Sequence, residues 1–284
     1  EAKELLVNLL ANTNNYRDAL ELYQSFKKPT PAMQKVYPKI LYGRAVEYMN
    51  DQQIARADEL FANVTALPPS NVTPYANFWR GEIAYRSDKF DEAIRDYSLY
   101  LQSNAPALGE ANPQTAKYNL GYSWLKKENY KQAQSFFEPV GRMSTTSAPI
   151  EQDAYVRAAD CYFMQKDFSK ANTMYDNVIN SAAQQSDYAL FQKAMIAGVK
   201  SASSKISVLN SLSKQYPNST LVPDANMEIA NSYMADEKFS EAITYLKKII
   251  ASNSGDGLKP AAYLKSGLSY YNLNKNNDAL SNYQ

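Results

Sequence analysis

The 284-residue sequence predicts an all-α protein, an α-solenoid of about eight helix pairs. Three recurring positions carry that expectation: an alanine, a bulky residue one helical turn after it, and a small residue twelve positions before it. The alanine position is filled by Ala19, Ala57, Ala93, Ala133, Ala171, Lys205, Ala242 and Ala279, at gaps of 38, 36, 40, 38, 34, 37 and 37 residues. A sustained period of this size marks stacked supersecondary units, each too small to bury its own apolar face.

Within each copy the first helix carries a small residue: Ala45, Gly81, Gly121, Ala159, Ala230 or Gly267. Three residues further on stands a larger apolar one: Leu10, Tyr48, Trp124, Tyr162, Ile196, Tyr233 or Tyr270, with Ala84 the exception. The second helix starts near Tyr16, Ile54, Phe90, Tyr130, Phe168 or Phe239, three residues before the alanine position. Four residues after it come Tyr23, Phe61, Tyr97, Phe137, Tyr175, Leu209, Leu246 and Tyr283, on the same helical face. The small residue allows close approach and the bulky one fills the space beside it. Pro31, Pro69 and Pro217, twelve residues after the alanine position, are expected to stop the second helix.

The run Asn119-Leu120-Gly121-Tyr122-Ser123-Trp124, followed by Tyr130, Ala133 and Phe137, resembles the tetratricopeptide-repeat pattern of Leu-Gly, aromatic, aromatic, Ala, aromatic. The stretch 225–250, with Tyr216-Pro217-Asn218-Ser219 before it, is similar to repeats of bacterial cell-envelope proteins of this kind. The resemblance covers nearly the whole chain and implies a right-handed superhelix of about eight helix-turn-helix repeats. They are expected over residues 1–33, 38–69, 74–106, 114–146, 152–184, 186–218, 223–255 and 260–284, as one array. Copy six departs most, with Lys205 and Lys193 at the small positions. The connections 103–113, 141–152 and 252–259, rich in Pro, Gly, Ser, Thr and Asn, are expected weak points. Glu1 is expected inside the first helix and Gln284 inside the last, so the chain reads as part of a longer array.

Composition excludes several functions. Thirty basic residues against 29 acidic leave a net charge of +1, and without a basic stripe no nucleic-acid partner is expected. There is no histidine and one cysteine, Cys161, so the usual zinc sites and the commonest general base are missing. The carboxylate pairs Asp91-Glu92 and Asp236-Glu237 sit at helix starts, where the helix dipole favours acids. The sequons at Asn63, Asn71 and Asn218 carry little weight in so Asn-rich a chain. No catalytic residue, metal or cofactor is expected, and no apolar run is long enough to span a membrane.

The resemblance implies that the first helices line a concave face through their second, fifth, ninth, twelfth and thirteenth positions. Those slots hold the candidate partner-binding residues Tyr42, Phe78, Tyr85, Arg86, Tyr118, Tyr122, Lys126, Asp160, Phe163, Asn231 and Tyr271. Tyr48, Trp124, Tyr162 and Tyr233 fall instead at packing positions. A protein or peptide partner, anchored on a few aromatics, is the expected ligand. The carboxylate clamp of chaperone-binding repeats needs Lys and Asn at the fifth and ninth slots, which here hold Tyr42 and Val46, Phe78 and Glu82, or Tyr118 and Tyr122. Recognition of a chaperone terminus is therefore not expected. The leading function is a non-enzymatic scaffold in assembly of a bacterial envelope complex, periplasmic or outer-membrane-associated, with the cytoplasm as the alternative setting. Two other readings stay open: glycan or cell-wall binding through Trp79, Phe78 and Tyr85, and the docking arm of a larger enzyme.

Overall fold

The computed structural model describes residues 2–253 and 255–284, so Glu1 and its expected helical place lie outside the described residues, as does Ser254. Sixteen α-helices and no β-strand stand among the described residues. They pair in order: α1 (Ala2–Asn12) with α2 (Tyr16–Gln24), α3 (Pro31–Asn50) with α4 (Ile54–Ala66), α5 (Thr73–Arg86) with α6 (Phe90–Gln102), and α7 (Pro113–Lys126) with α8 (Tyr130–Phe137). These form a first compact unit, Glu1–Val140. The second, Gly141–Gln284, holds α9 (Pro149–Met164) with α10 (Phe168–Asn180), α11 (Ser186–Lys200) with α12 (Ala202–Gln215), α13 (Val222–Ala235) with α14 (Phe239–Ile250), and α15 (Lys259–Asn272) with α16 (Asn276–Tyr283). Within each unit successive pairs stack, the second helix of one packing on the first of the next, which is the all-α solenoid architecture.

The turn inside each pair is built the same way seven times. Asn14, Gln52, Asp88, Glu128, Lys166, Glu237 and Asn274, each five residues before the recurring alanine, take left-handed backbone angles with φ between 56° and 65°. The following N–H then donates to the carbonyl of the residue five positions back, as from Gln53 to Tyr48 at 2.8 Å and from Asp167 to Tyr162 at 2.9 Å. That bond pattern is a Schellman motif, which satisfies carbonyls otherwise orphaned at the helix end. Copy six lacks it; Ser201 there caps α12 directly, its Oγ accepting from the Ser204 N–H at 3.1 Å.

Small-to-aromatic contacts lock the two helices of a pair. A Cβ built on Gly81 would lie 2.9 Å from the Tyr97 ring, on Gly121 2.6 Å from the Phe137 ring, and on Gly267 2.5 Å from the Tyr283 ring. In copy six the two lysines replace that contact. Lys193 reaches back to Asp176 on α10 and Lys205 reaches across to Glu228 on α13, so each long stem covers apolar surface while its ammonium pairs with a neighbour's carboxylate.

Three local expectations are corrected or sharpened. Pro31 does not end α2, which stops at Gln24; it is the first residue of α3, capped by Thr30 Oγ1 accepting from the Met33 N–H at 3.3 Å. A proline at this position has no N–H to lose and its fixed φ suits a helix start. Helix α3 therefore runs through Pro38, where the repeat was expected to begin, and stands two turns longer than α5 or α7. The connection 103–112 is pinned from both sides: Tyr75 donates to the Pro106 carbonyl at 3.1 Å and Tyr100 to that of Ala111 at 2.8 Å.

Candidate partner-binding surface

In the first unit the first helices of successive pairs meet through aromatic and polar side chains. Trp79 Nε1 donates to the Tyr42 hydroxyl at 3.3 Å, and the Tyr42 ring packs 5.8 Å from Phe61 and 6.1 Å from Tyr75. Tyr42 is thus half-buried at the junction between α3 and α5. Tyr118 and Tyr122 are also half-buried, their rings 5.0 Å apart on α7, and each packs edge-on against Phe137. Tyr85 is half-buried with its ring 5.8 Å from Phe90, and burial followed by the charge of Glu82 pushes its phenol up. Arg86 and Lys126 are exposed at the ends of α5 and α7, and Arg86 Nε donates to Glu82 Oε1 at 2.7 Å. Of the candidate residues on α5 and α7, Tyr85, Tyr118 and Tyr122 are half-buried and Arg86 and Lys126 are exposed, so each keeps part of its side chain at the surface.

Phe78 does not join them. It is 1% exposed, boxed by Tyr97 and Tyr100 at 5.5 and 5.4 Å, because its slot faces the second helix of its own pair. Its expected place on a partner surface is corrected to the core. The glycan platform expected from Trp79, Phe78 and Tyr85 loses Phe78, while Trp79 lies edge-on to Phe78 and its Nε1 donates to Tyr42.

In the second unit Asp160 is likewise buried rather than presented to a partner. Tyr175 donates to its Oδ1 at 2.6 Å and Arg157 to its Oδ2 at 2.5 Å. Burial pushes its carboxyl up and the Arg157 charge pulls it down, with burial dominant. Tyr188, facing the same carboxylate, is pushed up to about 12, first by burial and then by Asp160. Phe163 is half-buried with its ring 5.8 Å from Phe168. Asn231 is half-buried, its amide directed at Glu228 and its Oδ1 buried without a protein partner. Tyr271 is 63% exposed, on a face of α15 that also exposes Leu264 and Leu268.

The structure shows a device that reading by slots missed. Tyr97 donates to Glu82 Oε2 at 2.7 Å, and Asn119 Nδ2 donates to both that oxygen and the Tyr97 hydroxyl, at 3.1 and 2.8 Å. Asp160 and Tyr175 repeat the carboxylate–tyrosine pair, again fifteen residues apart. Where the second-helix aromatic is Phe, the partner slot holds no carboxylate: Val46 precedes Phe61 and Tyr122 precedes Phe137 by the same fifteen residues. A buried phenol needs an acceptor and a buried phenyl forbids one. The paired identities were present in the sequence.

Comparison with known proteins follows the same repeats. Models of the tetratricopeptide repeat match residues 42–108 and, separately, 153–184. The chain carries tetratricopeptide repeats. A solved tetratricopeptide-repeat protein from Parabacteroides merdae aligns over 87% of this chain and 90% of its own at 14% identity, with a TM-score of 0.60, a likeness of fold. PilF of Pseudomonas aeruginosa aligns over 83% of this chain and 96% of its own at 17% identity, with a TM-score of 0.45. The mitochondrial import receptor subunit TOM70 of Homo sapiens is 26% identical over 173 residues, 61% of this chain, a match that spans 27% of that receptor's length.

Proposed function

We propose that the chain is a non-enzymatic protein–protein interaction scaffold that binds an extended peptide or partner segment along the first-helix faces of its repeats. The observation that carries it is the partial exposure of Tyr85, Tyr118 and Tyr122 on the first helices α5 and α7, beside the exposed Arg86 and Lys126. Half-buried tyrosines offer large rigid area at low entropic cost, and they anchor interfaces for that reason. The remote match to an import receptor subunit favours recognition of other proteins. In the second unit Phe163 and Tyr271 would serve as anchors.

The setting we propose is assembly or organisation of a bacterial envelope complex, periplasmic or outer-membrane-associated. Its support is the likeness of residues 216–250 to envelope repeats and a chain with a single cysteine. No described helix is long and apolar enough to cross a membrane.

Site-specific photocrosslinking tests both proposals. A crosslinker at Tyr122 should capture a defined protein in envelope fractions of the source cells, whereas one at Lys131, exposed on α8, should not. Equal capture from both positions would refute the assigned face, and capture only in the cytoplasmic fraction would refute the setting.

A further inference from the structure

The early start of α3 builds a cleft that the repeat pattern does not contain. Its two added turns, Pro31–Tyr37, stand beside the connection Leu67-Pro68-Pro69-Ser70-Asn71 and enclose about 650 Å³ within the first unit. That volume lies in the range of sites that bury a small ligand or a few side chains of a peptide. The walls are Tyr23, Tyr37, Pro29, Leu67, Pro68 and Pro69. Tyr23 and Tyr37 stack in parallel, centroids 4.0 Å apart and planes 6° apart, so both rings are held rigid. The opposite wall is stiffened by its two prolines and by Thr73 Oγ1, which accepts from the Ser70 N–H at 2.9 Å.

We propose that this cleft binds an acidic, proline-containing segment of a partner protein in the polyproline II conformation. Backbone chemistry selects the conformation. Pro29, Pro68 and Pro69 line the cleft without an N–H among them, so the walls cannot supply the ladder of donors that an added β-strand requires. A polyproline II segment keeps its own backbone solvated and presents rings and methylenes to aromatic and proline walls. Charge selects the composition. Lys35 lines the cleft and Lys27 and Lys28 stand exposed in the connection leading to Pro29; among the described residues none of the three forms an ion pair. Glu21 on α2 pairs with Arg17, and Glu4 on α1 accepts from the Thr30 hydroxyl. An apolar cleft under uncompensated lysines is complementary to carboxylates flanking a proline core. The site is separate from the first-helix tyrosines and stands whether or not they bind a partner.

The probe is a fluorescein-labelled peptide, Gly-Glu-Pro-Pro-Tyr-Pro-Glu-Glu, titrated by fluorescence anisotropy, beside versions with Lys for Glu and with Ala for Pro. Saturable binding of the acidic proline peptide is expected, with both substituted peptides weaker. Lys35→Glu should weaken it about three- to tenfold, the scale of reversing one exposed charge contact. Asn71→Trp, at an exposed position lining the cleft, should block it while the far-ultraviolet circular dichroism stays unchanged. Tyr122→Ala should leave it unaltered. The proposal is overturned if no saturable binding appears up to the millimolar range, if the Lys or Ala versions bind equally well, or if only Tyr122→Ala abolishes binding. It is equally overturned if the cleft variants lose phosphatidylserine vesicle binding and no peptide binding.

Discussion

Gly121→Ala should destabilise the first unit by about 1–2 kcal/mol, while the same exchange at Gly267 should stabilise the second by up to about 1 kcal/mol. Both glycines sit inside first helices, where alanine is favoured by roughly 0.8–1.0 kcal/mol on propensity. The difference lies in what the new methyl meets. At Gly121 the Cβ would fall 2.6 to 2.8 Å from three atoms of the Phe137 ring, about 1 Å inside a comfortable carbon–carbon contact of roughly 3.5–4.0 Å. Phe137 is fully buried and flanked by the Tyr118 and Tyr122 rings, so it cannot swing aside. Overpacking of this kind costs typically ~1–3 kcal/mol, and the upper half of that range exceeds the gain in propensity. At Gly267 the Cβ would lie as close, 2.5 Å from the Tyr283 ring, but Tyr283 is 50% exposed and can rotate outward. Native-state hydrogen exchange on the α7–α8 and α15–α16 amides reads each pair separately, which suits stacked repeats that do not unfold as one. Stabilisation by Gly121→Ala equal to that by Gly267→Ala would refute ring closure as the reason for glycine here.

Four further outcomes are expected. Tyr97→Phe should cost about 1.5–2 kcal/mol by leaving the Glu82 carboxylate short of a donor, and adding Glu82→Val, the pairing that Val46 and Phe61 use, should restore about half of it in a urea double-mutant cycle. Lys166→Gly should stabilise by up to about 1 kcal/mol, since its left-handed φ of 65° strains a side chain and not glycine; a thermal melt reads it. Lys205→Ala restores the recurring residue but strands Glu228, so Lys205→Ala with Glu228→Gln should be more stable than Lys205→Ala alone. Because burial holds the Asp160 carboxyl above its ordinary value of 3.8 when folded, its contribution to stability is complete below that value and lost as pH rises through the folded one. Asp160→Asn should flatten the dependence of the urea midpoint on pH above 3.8.

The sequence specified the helix pairs because their signals are local and periodic. The alanine, the aromatic four residues on and the small residue twelve back fall in register from Ala19 to Ala279. Pro31 was misread because a proline marks a helix end and a helix start equally well; Thr30 before it, a good N-cap, decides for a start. Slot counting placed Tyr85, Tyr118 and Tyr122 at the surface of their helices but could not separate Phe78 from them. Whether a fifth-slot ring turns outward depends on the side chains that the second helix of its own pair brings over it, and Tyr97 and Tyr100 close over Phe78 from α6. Asp160 was assigned to a binding face for the same reason, although Tyr175 fifteen residues later gives its buried partner. The cleft beside Tyr23 and Tyr37 was out of reach, because it exists only through the position of the added turns of α3.

The central proposal is that the part-exposed first-helix tyrosines of the first unit carry partner binding, and titration calorimetry with the protein captured at Tyr122 tests it most directly. Tyr85→Ala and Tyr122→Ala should each weaken that complex by about 2 kcal/mol, roughly thirtyfold, with helicity unchanged, as anchors of an interface do. Affinity unchanged in both variants, or lost only through Lys131→Ala on α8, would contradict the account.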